Sequence, residues 1–541
     1  MTDRNPVLHW SVLWLVLMIA ALAARPHLPV DETRYLAVAW EMWLRGDFLV
    51  PHLNGEPYSH KPPLLFWSMQ AGWAVFGVND WWPRLVAPLF GLGSLVLTIP
   101  LARALWPKDV TVAKSAPVIL LGSLYWALFA TLTMFDTLLA LTAMIALLGV
   151  LRARRIGGWS GWIVFGLGIG VGVLAKGPAI LLHTLPVALL APLWDVEGRI
   201  KAQKGGWKRW YLGTGLGVLI GAAIGLAWAI PAAIAGGEEY RNAIFIGQTA
   251  GRMVKSFAHQ RPWWFFLAII GPMLLPWTFW PALWRSLGKL PNLLGDSGLR
   301  FCLAWFLPAF IAFSLISGKQ PHYLLPDFPA AALIIAFLLA RDERKDGRAW
   351  EQWFPAGLLI VVGVVLFVAP YLPIKKIPDW VANQQTIWAA LIVLAGLLIV
   401  KTPSAGAEYP RLKALAGGMV IFIACLHLIL VPRFDNQYSM KPNGEALAKL
   451  EAEGWTLFHF GKYHGQYQFA GRLKNPIPWT DNPNELEAFL AANPKTKVIA
   501  YRYKLYDDEP APENILSFRD LIMVVWDGDQ VRANPKLAFR R

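Results

Sequence analysis

A carboxylate, a guanidinium and a phenol stand together at Asp31, Arg34 and Tyr35, directly after the first long apolar stretch of the chain. On a helix they fall at i, i+3 and i+4 and share one face. Such groups are costly at a bilayer boundary unless they are solvated or used. Asp31 is suited to orient a nucleophile or take its proton, although an aspartate at a helix start also serves simply as a cap. Further on, Ser59-His60-Lys61-Pro62-Pro63-Leu64 sets a lysine before two prolines. The prolines force extended backbone and hold the side chain away from helix structure. A lysine held this way is a point charge for a phosphate; the plain alternative is a side chain snorkelling to an interface.

Four more segments carry groups of the same kind. Asp136, in Phe135-Asp136-Thr137, falls in a tight turn between apolar stretches, where capping is again the simple reading. Lys176 ends a stretch before Gly177-Pro178, a place where a cation also suits the helix dipole. His259 and Arg261 precede Trp263-Trp264, a pair typical of membrane interfaces. Finally, Lys319, His322 and Tyr323 crowd a turn that needs only Gly318 and Pro321. The extra cation, imidazole and phenol favour contact with a ligand. His60 and His259 could ligate a metal, a lone histidine being weak evidence for one.

The elements that must position these groups are membrane helices. Hydrophobic residues make up 56% of the chain and charged residues 16%, against about 25% charged in soluble domains. Apolar stretches recur at 8–24, 84–105, 115–131, 137–151, 159–175, 178–194, 211–235, 263–284, 299–316, 321–340, 353–372, 385–400 and 413–432, many of them close to the roughly 20 residues that span a bilayer. That reading gives about thirteen spans. The first has the outline of a secretory leader, but the spans that follow favour an anchor. Cys302 and Cys425, the two cysteines, both lie in apolar stretches, which argues against a disulfide framework or a cysteine-based metal site.

The net charge of +15 could suggest nucleic acid, but the basic residues sit in short loops. With the N-terminus cytoplasmic, the loops holding Lys108, Arg154, Lys204, Arg285, Arg341 and Arg411 all fall inside, as the positive-inside rule requires. The chemistry-bearing turns then fall outside. The expected organisation is a membrane domain over 1–432 and a small outer α/β domain over 433–541. The latter has helix-like 444–453 and 483–493 and strand-like 455–460, 497–503 and 520–526. Residues 31–45 are expected to form an interfacial helix with Trp40 and Trp43 at headgroup level.

Taken together, the segments resemble the GT-C membrane glycosyltransferases, in particular bacterial aminoarabinose transferases and, more distantly, protein O-mannosyltransferases. The resemblance rests on Asp31-Glu32-Thr33-Arg34-Tyr35, Gly46-Asp47, Leu53-Asn54-Gly55, Lys61-Pro62-Pro63-Leu64, Phe76-Gly77-Val78, Lys176-Gly177-Pro178, His259 with Arg261-Pro262-Trp263, and Lys319 through Pro326. It implies a multi-pass protein of the bacterial inner membrane with thirteen spans and a periplasmic C-terminal domain. It also implies transfer of a sugar from a polyprenyl-phosphate donor to an envelope acceptor, with 4-amino-4-deoxy-L-arabinose and lipid A leading, and mannose or galacturonic acid on a glycan, lipid or protein as alternatives. Asp31 and Asp136 would be the catalytic carboxylates. Arg34, Tyr35, Lys61, Lys176, Arg261, Lys319 and Tyr323 would line the donor phosphate and its cavity. No nucleotide is needed. Aminoarabinose transferases carry an acidic residue, associated with zinc, before Lys-Pro-Pro; His60 stands there in this chain, which leaves room for a divalent metal held by His60 and His259. A polyprenyl-lipid transporter is the alternative from another class, although transporters gather their polar groups near the bilayer midplane.

Overall fold

The computed structural model describes residues 6–245, 260–341, 349–373, 377–402 and 408–540. The chain forms two compact units. One comprises 1–23, 59–65 and 84–429; the other comprises 24–58, 66–83 and 430–541.

The first unit is helical. Nine helices among the described residues are long and apolar enough to cross a membrane, from Val7–Ala24 to Tyr409–Ile429. Small residues let these helices approach closely, as expected where lipid is as apolar as the side chains. A Cβ added at Gly149 would lie 2.5 Å from the Phe165 backbone nitrogen, and one at Gly168 would lie 2.8 Å from Ala146 Cβ. Helix Asp136–Ile156 thereby packs on helix Ser160–Lys176.

Two of the interrupted spans break for a clear local reason. The stretch 115–131 is split into helices Val110–Leu121 and Leu124–Phe129. At the break the Leu124 N–H donates to the Leu275 carbonyl (2.7 Å). Trp277 Nε1 donates to Ile119 O and Ser123 Oγ, so packing against a neighbouring segment replaces the helical bonds. The stretch 263–284 becomes helix Phe265–Met273, a 3-10 turn at Trp277–Phe279 and helix Pro281–Leu287. Pro272, Pro276 and Pro281 cannot donate to a continuous helix.

Side chains in the basic loops form a connected set. Arg154 pairs with buried Asp195 (2.8 Å), Arg341 with Asp109 and Arg285 with Glu351. Arg300 reaches Leu193 O, and Trp106 Nε1 reaches Asp296. The loops expected on one side of the membrane are therefore bonded to one another.

The second unit is α/β. Strands β1 (His52–Leu53) and β2 (Glu56–Pro57) form a small hairpin. Strands β3 (Thr456–Phe460), β4 (Trp479–Thr480), β5 (Thr496–Arg502), β6 (Asn514–Phe518) and β7 (Leu521–Asp527) form a mixed sheet in the order β4-β3-β5-β7-β6. β3 is parallel to β4 and β5, and β7 is antiparallel to β5 and β6. First-loop residues are part of this unit. The Asn54 amide exchanges two hydrogen bonds with the backbone of Ile477 (2.8 and 2.7 Å).

The interfacial reading of residues 31–45 is corrected here. They form helix Asp31–Arg45 as expected, but nine of its residues are buried. Trp40 donates to Leu473 O (2.9 Å) and packs edge-on against Trp73 and Phe469. Helical periodicity alone does not tell a lipid-facing apolar stripe from one that packs on protein.

Candidate active site

In the helical unit the chemistry gathers around Asp136. It is the first residue of its helix, behind a Phe135 N-cap that makes no side-chain cap bond. Its carboxylate is buried at 1% exposure and accepts from Lys176 Nζ at 2.5 Å. Lys61 and His322 lie within electrostatic reach of the same carboxylate. The capping reading of Asp136 and the dipole reading of Lys176 thus give way to a buried ion pair, which the helix N-terminus still supports.

Aromatic rings hold the cations in place. Lys61 Nζ lies 5.4 Å from the Phe135 ring centre, and Lys176 Nζ lies 5.3 Å from that of Tyr323, both within cation–π range. His322 stacks on Phe129 with centroids 5.3 Å apart. Two lysines and an imidazole therefore lie near one carboxylate.

Arg261 and Lys319 are engaged differently. Lys319 is 3% exposed and donates to the carbonyls of Arg261 (2.9 Å) and Ile316. The Arg261 N–H donates to Ser317 O (3.2 Å), and Gln260 forms a bridge with Gly318. Lys319 ties two segments together, and the Arg261 guanidinium lies over the Phe265 ring.

In the α/β unit the two adjacent acids have separate roles. Glu32 is buried, pairs with Arg25 and accepts from the Leu28 N–H (2.8 Å). Asp31 keeps its side chain 55% exposed and pairs with Arg34. The helix N-cap is Val30, with no side-chain cap bond, so Asp31 is not the cap. Burial would lower the Arg34 guanidinium, but Tyr58, Tyr35 and Asp31 outweigh it and raise it further. Burial, with Asp31 and Tyr58, raises the Tyr35 phenol. Arg34 is thus charged and Tyr35 neutral across the working range. Tyr58 was not singled out from the sequence, where a lone tyrosine among turn residues gives no signal.

His60 is exposed, and His259 lies outside the described residues. Among the described residues no group of three or more His, Cys, Asp or Glu side chains could hold a metal ion.

Residues 60–228 match the family model for dolichyl-phosphate-mannose-protein mannosyltransferase. An undecaprenyl phosphate-α-4-amino-4-deoxy-L-arabinose arabinosyl transferase of Pseudomonas fluorescens is 30% identical over 410 residues, 73% of this chain and 70% of the relative. The enzyme of the same name from Pseudomonas paraeruginosa is 31% identical over 67% of this chain and 65% of its own length. The crystal structure of ArnT from Cupriavidus metallidurans, bound to undecaprenyl phosphate, superimposes with a TM-score of 0.74 at 19% identity, covering 97% of this chain and 98% of that one. At that identity the likeness is one of fold, the GT-C architecture.

Proposed function

This chain belongs to the bacterial aminoarabinose transferase family of membrane glycosyltransferases, and on that premise we propose that it moves 4-amino-4-deoxy-L-arabinose from a polyprenyl phosphate to lipid A. Membership in a family of transferases sets the transporter alternative aside. The observation that carries the reading is the 30% identity over 410 residues with an enzyme named for that donor. The cations gathered near Asp136 support it, because a lipid phosphate must be held and then released. The connected basic loops support thirteen crossings with the N-terminus cytoplasmic and the chemistry on the periplasmic face.

The donor's anomeric carbon is already activated. An acceptor oxygen forms a bond to it, the bond to the phosphate oxygen breaks, and the polyprenyl phosphate leaves with the electron pair. Asp31, half exposed beside Arg34, is suited to orient an acceptor and take its proton where the acceptor is a hydroxyl. An acceptor phosphate, already anionic, needs positioning instead. Lys61 and Lys176 stabilise the departing phosphate, as preorganised charges do where negative charge develops. Mass spectrometry of lipid A from strains with and without this chain tests the assignment. The expected result is an aminoarabinose adduct that depends on the chain. An unchanged lipid A mass under inducing conditions would count against it.

A further inference from the structure

Helix Asp31–Arg45 is flanked by a segment from the far end of the sequence. Arg34, Ala37 and Glu41 lie at i, i+3 and i+7 and share a face. Tyr463, His464 and Gly465 lie close to that face. Tyr463 is within electrostatic reach of Glu41. A Cβ added at Gly465 would lie 2.9 Å from Ala37 Cβ and 2.7 Å from Leu53 Cδ1. His464 is within reach of Arg34 and Asp31, and of its own neighbour Lys462. Gly465 has φ +73°, so glycine is required both by the backbone and by the close approach.

The segment is braced from behind. The His464 N–H donates to Gln466 Oε1 (2.9 Å), Gln466 Nε2 donates to the Tyr501 hydroxyl (2.5 Å), and that hydroxyl bonds Tyr467. Glu41 is already engaged by Arg45 and the Gly55 N–H. Asp31, paired with Arg34, is the carboxylate within reach of His464. Lys462 is exposed and His464 half-buried, so both are accessible to a ligand.

We propose that the C-terminal segment presents Lys462 and His464 beside Arg34 as a recognition site for the phosphate of a lipid substrate. The proposal rests on the transferase reading for the identity of that lipid, which is either the polyprenyl-phosphate donor or a phosphate-bearing acceptor. It gives the C-terminal segment a part in substrate recognition. Burial, with Arg34 and Lys462 nearby, holds the His464 imidazole below its usual range. At neutral pH His464 then contributes a hydrogen bond, with Arg34 and Lys462 carrying the charge.

The test uses the full chain in nanodiscs and the variants Lys462→Ala, His464→Gln and their combination. Initial rates are measured against donor and acceptor separately, with a dephosphorylated acceptor as a third arm. The double variant should raise KM for one phosphate-bearing lipid about tenfold or more, as loss of charged hydrogen bonds implies, with kcat within about twofold. A rise for the donor assigns the site to the carrier phosphate. A rise for the acceptor that disappears with the dephosphorylated acceptor assigns it to the acceptor. An unchanged KM for both overturns the proposal. Binding of undecaprenyl phosphate and of bisphosphorylated lipid A, measured directly, separates the two ideas. If the wild-type chain transfers no aminoarabinose yet binds one of these lipids through Lys462 and His464, the transferase assignment fails and the phosphate site stands. Equal binding by wild type and the double variant removes the site whatever the chain transfers.

Discussion

The Asp136–Lys176 pair can be separated into a structural and a chemical part. At 2.5 Å and an effective dielectric of about 20, the attraction between the two charges is about 7 kcal/mol. Desolvation offsets much of this, so the pair's net contribution is small. Removing one partner is different, because the other is left buried and unpaired at a cost of about 3–5 kcal/mol. Asp136→Asn should lower the thermal midpoint of the purified protein, read by tryptophan fluorescence, and abolish transfer. The combination Asp136→Asn with Lys176→Met removes both charges and should recover most of the midpoint. Transfer should stay low, by about 10²–10³ in kcat, if Lys176 stabilises the departing phosphate in the manner of an oxyanion donor. Recovery of both stability and transfer would show that Lys176 only neutralises Asp136. An unchanged midpoint in Asp136→Asn would refute the ion-pair energetics altogether.

Neighbouring acids should separate stability from activity. Glu32→Gln, which removes the carboxylate paired with the buried Arg25 cation, should lower the midpoint, breaking a buried pair costing about 3–5 kcal/mol, whereas Asp31→Asn should keep the wild-type midpoint and lose transfer. Wild-type rates in Asp31→Asn would remove it from the reaction. Lys61→Ala should weaken use of the polyprenyl-phosphate donor, and unchanged donor kinetics would favour a snorkelling lysine. His459 in β3 is fully buried, and burial pushes its imidazole down to about 4 from 6.5. The folded state stays neutral while the unfolded state takes a proton below 6.5. The stabilisation is therefore present above pH 6.5 and is lost as pH falls toward 4, about 3 kcal/mol in all. Thermal midpoints measured from pH 7 to pH 4 should fall less steeply in His459→Gln, and an equally steep fall would refute the assignment.

The sequence was most legible where a local pattern had one physical cause. Hydropathy located helices such as Asp136–Ile156 and Tyr409–Ile429. Alternation and turn residues placed β3, β5 and β7 to within a residue or two. They missed β4, two residues long, and β6, because so short or half-exposed a strand leaves little pattern. Asp136 and Lys176 were visible as unusual groups at helix ends, but each had an adequate local explanation. Their pairing across 40 residues could not be read from either neighbourhood.

By itself the sequence determined the class of protein, the sorting of its loops by charge and the residue types able to hold a phosphate, because hydrophobic length and charge placement act locally. Tertiary structure decided what each group does. It paired buried Glu32 with Arg25, kept Asp31 half exposed beside Arg34, bonded Lys319 to the carbonyls of Arg261 and Ile316, and buried Trp40 against protein. It also set His464 near Arg34 from 430 positions away in the chain. Those outcomes depend on which partner fills a side chain's remaining hydrogen bonds and surface, and that partner is chosen by packing between segments that share no local pattern.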